Sequence, residues 1–338
     1  MVAYTIRRVL SGVLLLIVMS MVVFVLFYAS SDTPERYACG PKCSAQQLEV
    51  TKQSLGYDEP ITTQWGKFAQ GVVVGREFPN DPALREAAPD LVTQCDAPCL
   101  GFSTGYSSPV RELIFDRLPV SVSLALAAFV IWIVGGIGLG IIAALFKGTL
   151  LDRGIVGLSL IAFAFPTFFI GILLLTYVSI RWQILPIPRY TPLADGGVLN
   201  WLAGLFLPAL TLALVYLAGY IRITRAFMLE TGTEDYIRTA RAKGLRQRTV
   251  IGKHTLRAVL TPLVTLSGLD LAGLLGGAII TESVFNYNGV GKLAVVAIQR
   301  FDLPLTVGIV LLVATIVIVA NIIVDLLYAV IDPRVRLG

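Results

Sequence analysis

Two carboxylates, Asp270 and Asp325, stand inside long apolar runs in the C-terminal third of the chain. A charge in such a run is costly unless it meets a partner, a watery cavity or a reaction. Two carboxylates sharing a proton activate water in aspartyl proteases, so an intramembrane protease is one reading of this pair. Against it, Asp270 falls near the middle of its run and Asp325 near the end of its own, and neither has a Gly-x-Gly-Asp context. Four cysteines form a second set, Cys39 with Cys43 and Cys95 with Cys99. An even count on an oxidising face argues for disulfides, with three connectivities open. Two C-x3-C pairs also suit a four-thiolate zinc site, but thiolates outside the cell oxidise readily, so disulfides are expected and no metal. The one histidine, His254, lies in a different segment and gives these cysteines no base. No G-x-x-x-x-G-K-[ST] phosphate loop occurs, so any nucleotide chemistry belongs to another chain.

A third set suits docking rather than catalysis. Residues 230–258, running on to Pro262, are the only long polar segment of the C-terminal half. Thr231 and Glu234 fit a capping box, Glu234 and Asp235 place negative charge in a first turn, and Gly244 is a natural stop. The spacing predicts one short helix from Gly232 to Lys243 and a second from about Gln247 into the next apolar run. Tyr236, Ala240 and Gly244 lie four apart and share a face that is small at two positions. Arg238, Arg241 and Lys243 occupy the others. A helix at a membrane surface with one small face and basic flanks reads as a docking element.

These residues resemble a known family. Asp235-Tyr236-Ile237-Arg238-Thr239-Ala240-Arg241-Ala242-Lys243-Gly244 is similar to the coupling-loop motif of ABC importer permeases in their dipeptide and oligopeptide form. Arg238-Thr239-Ala240 replaces the Glu-Ala-Ala that names the motif and Pro262 falls later than usual, departures familiar in the peptide subfamily. The run Asn286-Tyr287-Asn288-Gly289-Val290-Gly291 resembles the family's outer re-entrant turn, with Asn286, Tyr287, Gly289 and Gly291 as its gate positions. Asp325 through Arg334 resembles the C-terminal signature. The resemblance implies one of two membrane subunits of an ATP-driven importer for peptides or a related solute. It further implies a second homologous permease subunit, one or two cytoplasmic ABC ATPases that hold ATP and Mg, and an extracytoplasmic substrate-binding protein. This chain itself is expected to hold no cofactor. The rival readings are the protease using Asp270 and Asp325, and a membrane receptor or structural protein without transport.

The elements that must position these sets are membrane helices. The chain is 56% hydrophobic and 14% charged, against about 25% charged in a soluble domain. Apolar runs near the bilayer-spanning length of about 20 residues occur at Val9–Ala29, Pro119–Phe146, Gly154–Ile180, Leu199–Tyr220, Leu263–Thr281 and Leu303–Val330. The expectation is an all-α integral membrane protein with six spans of the type I importer kind. Residues 1–29 form the tail and an uncleaved first span, 30–118 a small extracytoplasmic domain, and 119–338 the permease core. Short-loop lysines and arginines place both termini and the 230–258 loop in the cytoplasm of a bacterial or archaeal plasma membrane. The net charge of +5 follows from that placement and needs no nucleic acid. Within the 30–118 domain, Leu55–Ile61 and Gly101–Val110 resemble the peptide-permease family. The acidic, proline-containing stretch from Gly75 to Leu100 does not. Pro119 is expected at a helix start, Pro166 to kink the third span, and Asp270 to line the translocation path and offer negative charge to cationic cargo.

Overall fold

The computed structural model describes residues 2–29, 34–39 and 43–331, which are mostly helical. They divide into two compact units, one of residues 1–119 with 288–319, the other of residues 120–287 with 320–338.

In the first unit, α1 (Val2–Ala29) is followed by α2 (Pro34–Cys39), α3 (Ala45–Leu55) and α4 (Ile61–Val74). Ser44 caps α3 in a complete capping box with Gln47, and Gly56 ends it in the left-handed region. α4 lies against α1: Trp65 donates from its indole to the Ser20 hydroxyl at 3.2 Å, and the Phe24 and Phe68 rings sit 5.9 Å apart. The unfamiliar 75–100 stretch is a hairpin of β1 (Arg76–Phe78) and β2 (Thr93–Cys95), with α5 (Pro82–Ala87) between them. β3 (Phe102–Ser103) and β4 (Ser108–Pro109) make a second small hairpin. The 30–118 segment groups in one unit with α1 and residues 288–319.

The chain then enters α6 (Val110–Leu145), whose first turns belong to the first unit. Pro119 lies inside this helix instead of starting it. The helix begins nine residues earlier because Val110, Leu113 and Ile114, at one-face spacing, bury against Leu293, Ala297 and Leu305. α7 (Leu150–Ala164) and α8 (Thr167–Leu174) follow, the latter continuing as a π-turn to Arg181. The two helices meet at 105°, so Pro166 breaks the expected third span instead of kinking it. Phe165 is driven extended by the following proline, Pro166 is extended too, and two such residues in series turn the chain.

α9 (Leu193–Thr231) is interrupted at Gly197 and carries Pro208. α10 (Asp235–Ala242), α11 (Gln247–Thr249) and a π-turn over Val250–Thr255 lead into α12 (Leu256–Val284). α13 (Val290–Gln299) and α14 (Leu303–Ile331) complete the chain. Asp302 caps α14 by accepting from the Leu305 N–H at 3.2 Å and also accepts a hydrogen bond from the Ser103 hydroxyl. Burial pushes the Asp302 carboxyl above the usual carboxylate range, against the pull of those donors.

Among the described residues four helices are long and apolar enough to cross a membrane, within α1, α6, α9 and α14, or five if the bent α7–α8 pair is one span. The expected Leu263–Thr281 span falls inside α12, where the side chains of residues 272 and 275–277 lie outside the described residues. The six-span expectation is thus met in part.

Candidate functional site

The docking segment hangs on the end of α9. The capping box expected at Thr231 and Glu234 does not form. Thr231 still closes α9, a turn continues through Thr233 and Glu234, and α10 starts three residues late at Asp235, with Glu234 at the N-cap making no side-chain cap bond. The stop is as expected. Gly244 has φ +75°, its N–H reaches the Arg241 carbonyl at 2.9 Å, and the Leu245 N–H reaches that of Ala240 at 3.3 Å.

The shared face reads differently. Ala240 turns inward with Ile237 onto Val250, forming a small core that fixes α10 on the following turn. Ala240 is 8% exposed and offers nothing to a partner. Tyr236, 49% exposed, and Leu245, 43% exposed, are the apolar groups left outside. Arg238, Arg241, Lys243 and Gly244 are exposed with them. An ion pair there, Arg238 with Asp235 at 3.8 Å, joins two solvent-exposed side chains and adds little. The result is an exposed aromatic side chain and an exposed aliphatic one among Arg238, Arg241 and Lys243.

Six residues before α9 ends, Arg225 grips Asp152 of α7 with two parallel bonds, Nε to Oδ1 at 2.7 Å and Nη2 to Oδ2 at 2.8 Å. The Gly148 N–H donates to the same carboxylate at 2.9 Å, and Thr149 caps the α7 start. A bidentate fork fixes orientation as well as distance. Sequence reasoning missed this pair. Asp152 stood in a short turn and Arg225 in a basic run, and nothing in either run names the other.

Deeper in the same unit, Asp270 of α12 accepts from the Tyr220 hydroxyl of α9 at 2.7 Å. Tyr220 borders the fully buried Trp132, which stacks on Tyr216 at 4.7 Å. The carboxylate expected to be expensive therefore has a donor within its own chain. Asp325 lies in α14, but its side chain is outside the described residues, as are residues 332–334 of the C-terminal signature. A second carboxylate escaped notice: Glu282, fully buried near the end of α12, accepts from the Ser121 hydroxyl of α6 at 2.6 Å.

The turn between α12 and α13 follows directly. Asn286 has φ +58°, the Tyr287 N–H returns to the Glu282 carbonyl at 2.8 Å, and the buried Tyr287 ring places its hydroxyl on the Gly204 carbonyl of α9. Gly289 precedes α13 and is buried, as is Gly291. Asn288 accepts from Arg117 at 3.3 Å. The cysteines pair locally, Cys39 with Cys43 and Cys95 with Cys99, at Cα separations of 5.7 and 5.4 Å. The second pair is buried beside Phe78 and Phe102. Four thiolates do not converge, and among the described residues no group of three or more His, Cys, Asp or Glu side chains is gathered for a metal.

Residues 136–337 match the family described as binding-protein-dependent transport system inner membrane component, and residues 1–125 match the N-terminal model of the same membrane components. The chain belongs to this family. Among curated relatives of this permease is the probable peptide ABC transporter permease protein y4tP of Sinorhizobium fredii, 31% identical over 98% of the chain and 99% of the relative. The dipeptide transport system permease protein DppB of Escherichia coli is 36% identical, covering 83% of each. A putative peptide transport system permease protein of Brucella abortus is 34% identical over 99% of each. Of solved structures, the MetNI methionine ABC transporter in an inward-facing conformation overlays 63% of the permease and 94% of its own chain, at a TM-score of 0.48 and 15% identity.

The permease is a multi-pass inner-membrane transport component, not an enzyme, and the protease and receptor readings fall with that assignment. Its work requires a separate ATPase and a binding protein, as an ABC importer does.

Proposed function

We propose that this permease forms half of a peptide import path and takes its drive from an ATPase docked on α10. The cargo class is supported by the peptide and dipeptide names of the full-length relatives. The observation that carries the coupling reading is the exposed Tyr236, Leu245 and cationic cluster, set on a helix fixed by its own small core. α10 begins ten residues past an arginine clamped to α7, so a push on α10 is delivered to α9 and α7 together. ATP and Mg sit on the partner ATPase, and this chain holds no cofactor.

The finer arrangement is six spans with α12 as the fifth, both termini and α10 in the cytoplasm, and the insert after α1 outside. The partners are a second homologous permease subunit, one or two ATPase subunits and an extracytoplasmic binding protein. The turn at Asn286, Tyr287, Gly289 and Gly291 closes the outer end of the path, and the two cysteine pairs are oxidised outside the cell. Asp270 lines the path: it is half-buried, and Tyr220 occupies one oxygen while its charge stays available to a peptide amino terminus.

A photo-crosslinking residue in place of Tyr236 tests the docking. An adduct with the ATPase is expected, with none from Val73 in the insert. An adduct from Val73 and none from Tyr236 would reverse the orientation.

A further inference from the structure

We propose that the insert between α1 and α6 carries its own binding site for a primary ammonium group on an apolar body, such as the amino terminus of a peptide that begins with a bulky apolar residue. In the first unit an open cleft is walled by Phe24 of α1, Phe68 of α4, Phe78 of β1 and Phe102 of β3. The rings are arranged in two tilted pairs, Phe24 with Phe68 at 5.9 Å and Phe78 with Phe102 at 5.5 Å between centroids. Such walls take an aromatic or aliphatic side chain, and most ligand sites combine them with a few convergent polar groups.

Here one polar atom stands out. The lining includes Glu59, whose Oε1 is held by the Lys67 ammonium, while Oε2 is buried with no hydrogen-bond partner among the described residues. Its polar neighbours in the lining are engaged with one another. The Gln64 amide donates to the Glu59 carbonyl at 2.7 Å, Arg76 donates to the Asn80 side chain, and Asn80 donates to the Leu55 carbonyl at 2.7 Å. A dehydrated carboxylate oxygen calls for a donor, and a charged donor forms the stronger bond. The two cations of the lining are already engaged, Lys67 by Glu59 and Arg76 by Asn80. The combination selects an ammonium with an apolar substituent, and the open mouth leaves room for a chain to continue outward.

This site does not rest on the import reading, because it is assayed by binding alone, without ATPase or transport. The full-length chain in lipid nanodiscs is titrated calorimetrically with L-phenylalanine amide and with its N-acetyl derivative. Saturable binding of the amide is expected, weakened about tenfold or more by acetylation or by Glu59→Gln, the loss of one charge-assisted contact. Lys67→Met frees Glu59 from its internal cation and should tighten binding. That variant decides the matter if Glu59→Gln does not fold. The tripeptide Phe-Gly-Gly separates the sources: affinity equal to the amide assigns a peptide terminus, and rejection assigns small free amines. Absence of amide binding, equal binding of the acetylated compound, or no tightening in Lys67→Met would overturn the site.

Discussion

The Tyr287 hydroxyl donates to the Gly204 carbonyl at 2.5 Å, and it does so because Pro208 cannot. In an α-helix the residue four places on supplies the N–H for each carbonyl, and proline has none. The turn after α12 thus repairs a bond that α9 lacks, and it ties two helices of one unit through a defect in one of them. Gly204 is glycine because a side chain there would run into the Arg189 backbone carbonyl.

Removing the hydroxyl in Tyr287→Phe leaves that carbonyl buried without a donor, a cost of about 1–3 kcal/mol. A lower unfolding midpoint of the purified protein is expected. Pro208→Ala in the same background should restore much of the loss by returning the helical N–H. No recovery in the double variant would mean the two sites are uncoupled.

At the docking segment, Ala240→Trp is expected to disrupt the loop itself, since Ala240 packs on Ile237 and Val250. Overpacking of a core costs about 1–3 kcal/mol, so protease sensitivity within residues 235–250 should rise. Tyr236→Ala should leave proteolysis unchanged and lower substrate-stimulated ATP hydrolysis. Equal protease patterns for both variants would contradict this division.

The Asp152–Arg225 fork predicts that Arg225→Lys, which keeps the charge, still lowers stimulated ATP hydrolysis, because a single ammonium cannot hold both carboxylate oxygens. Co-purification of the ATPase should be normal. Full activity in the lysine variant would show that charge alone suffices.

Intact mass after alkylation without reductant should show no labelled cysteine, and four after reduction. Each pair closes a five-residue loop, for which chain entropy gives about 2 kcal/mol. Cys95→Ser with Cys99→Ser should destabilise more than the Cys39 and Cys43 pair, because the former is buried. Four labels without reductant would refute the disulfides.

What the sequence showed and what it hid divide by range. Gly244 as a stop and the apolar runs are local facts, carried by one residue's backbone freedom or by an unbroken stretch of side chains. The partners of the buried charges are not local: Asp152 finds Arg225 73 residues on, Asp270 finds Tyr220 50 residues back, and Ser121 meets Glu282 across 161. Ala240 was misread because four-residue spacing defines a face without saying which way it points. Pro119 and Pro166 show the same limit, one absorbed within a helix and the other turning the chain by 105°.

The central claim is that this permease, driven through α10, moves peptides. The direct measurement is uptake of a labelled tripeptide into proteoliposomes holding the complete complex with its binding protein, with and without ATP, for the natural chain and for Tyr236→Ala. Uptake that requires ATP and falls sharply in the variant, with assembly unchanged, is predicted. Uptake that ignores ATP, or that Tyr236→Ala leaves intact, would contradict it.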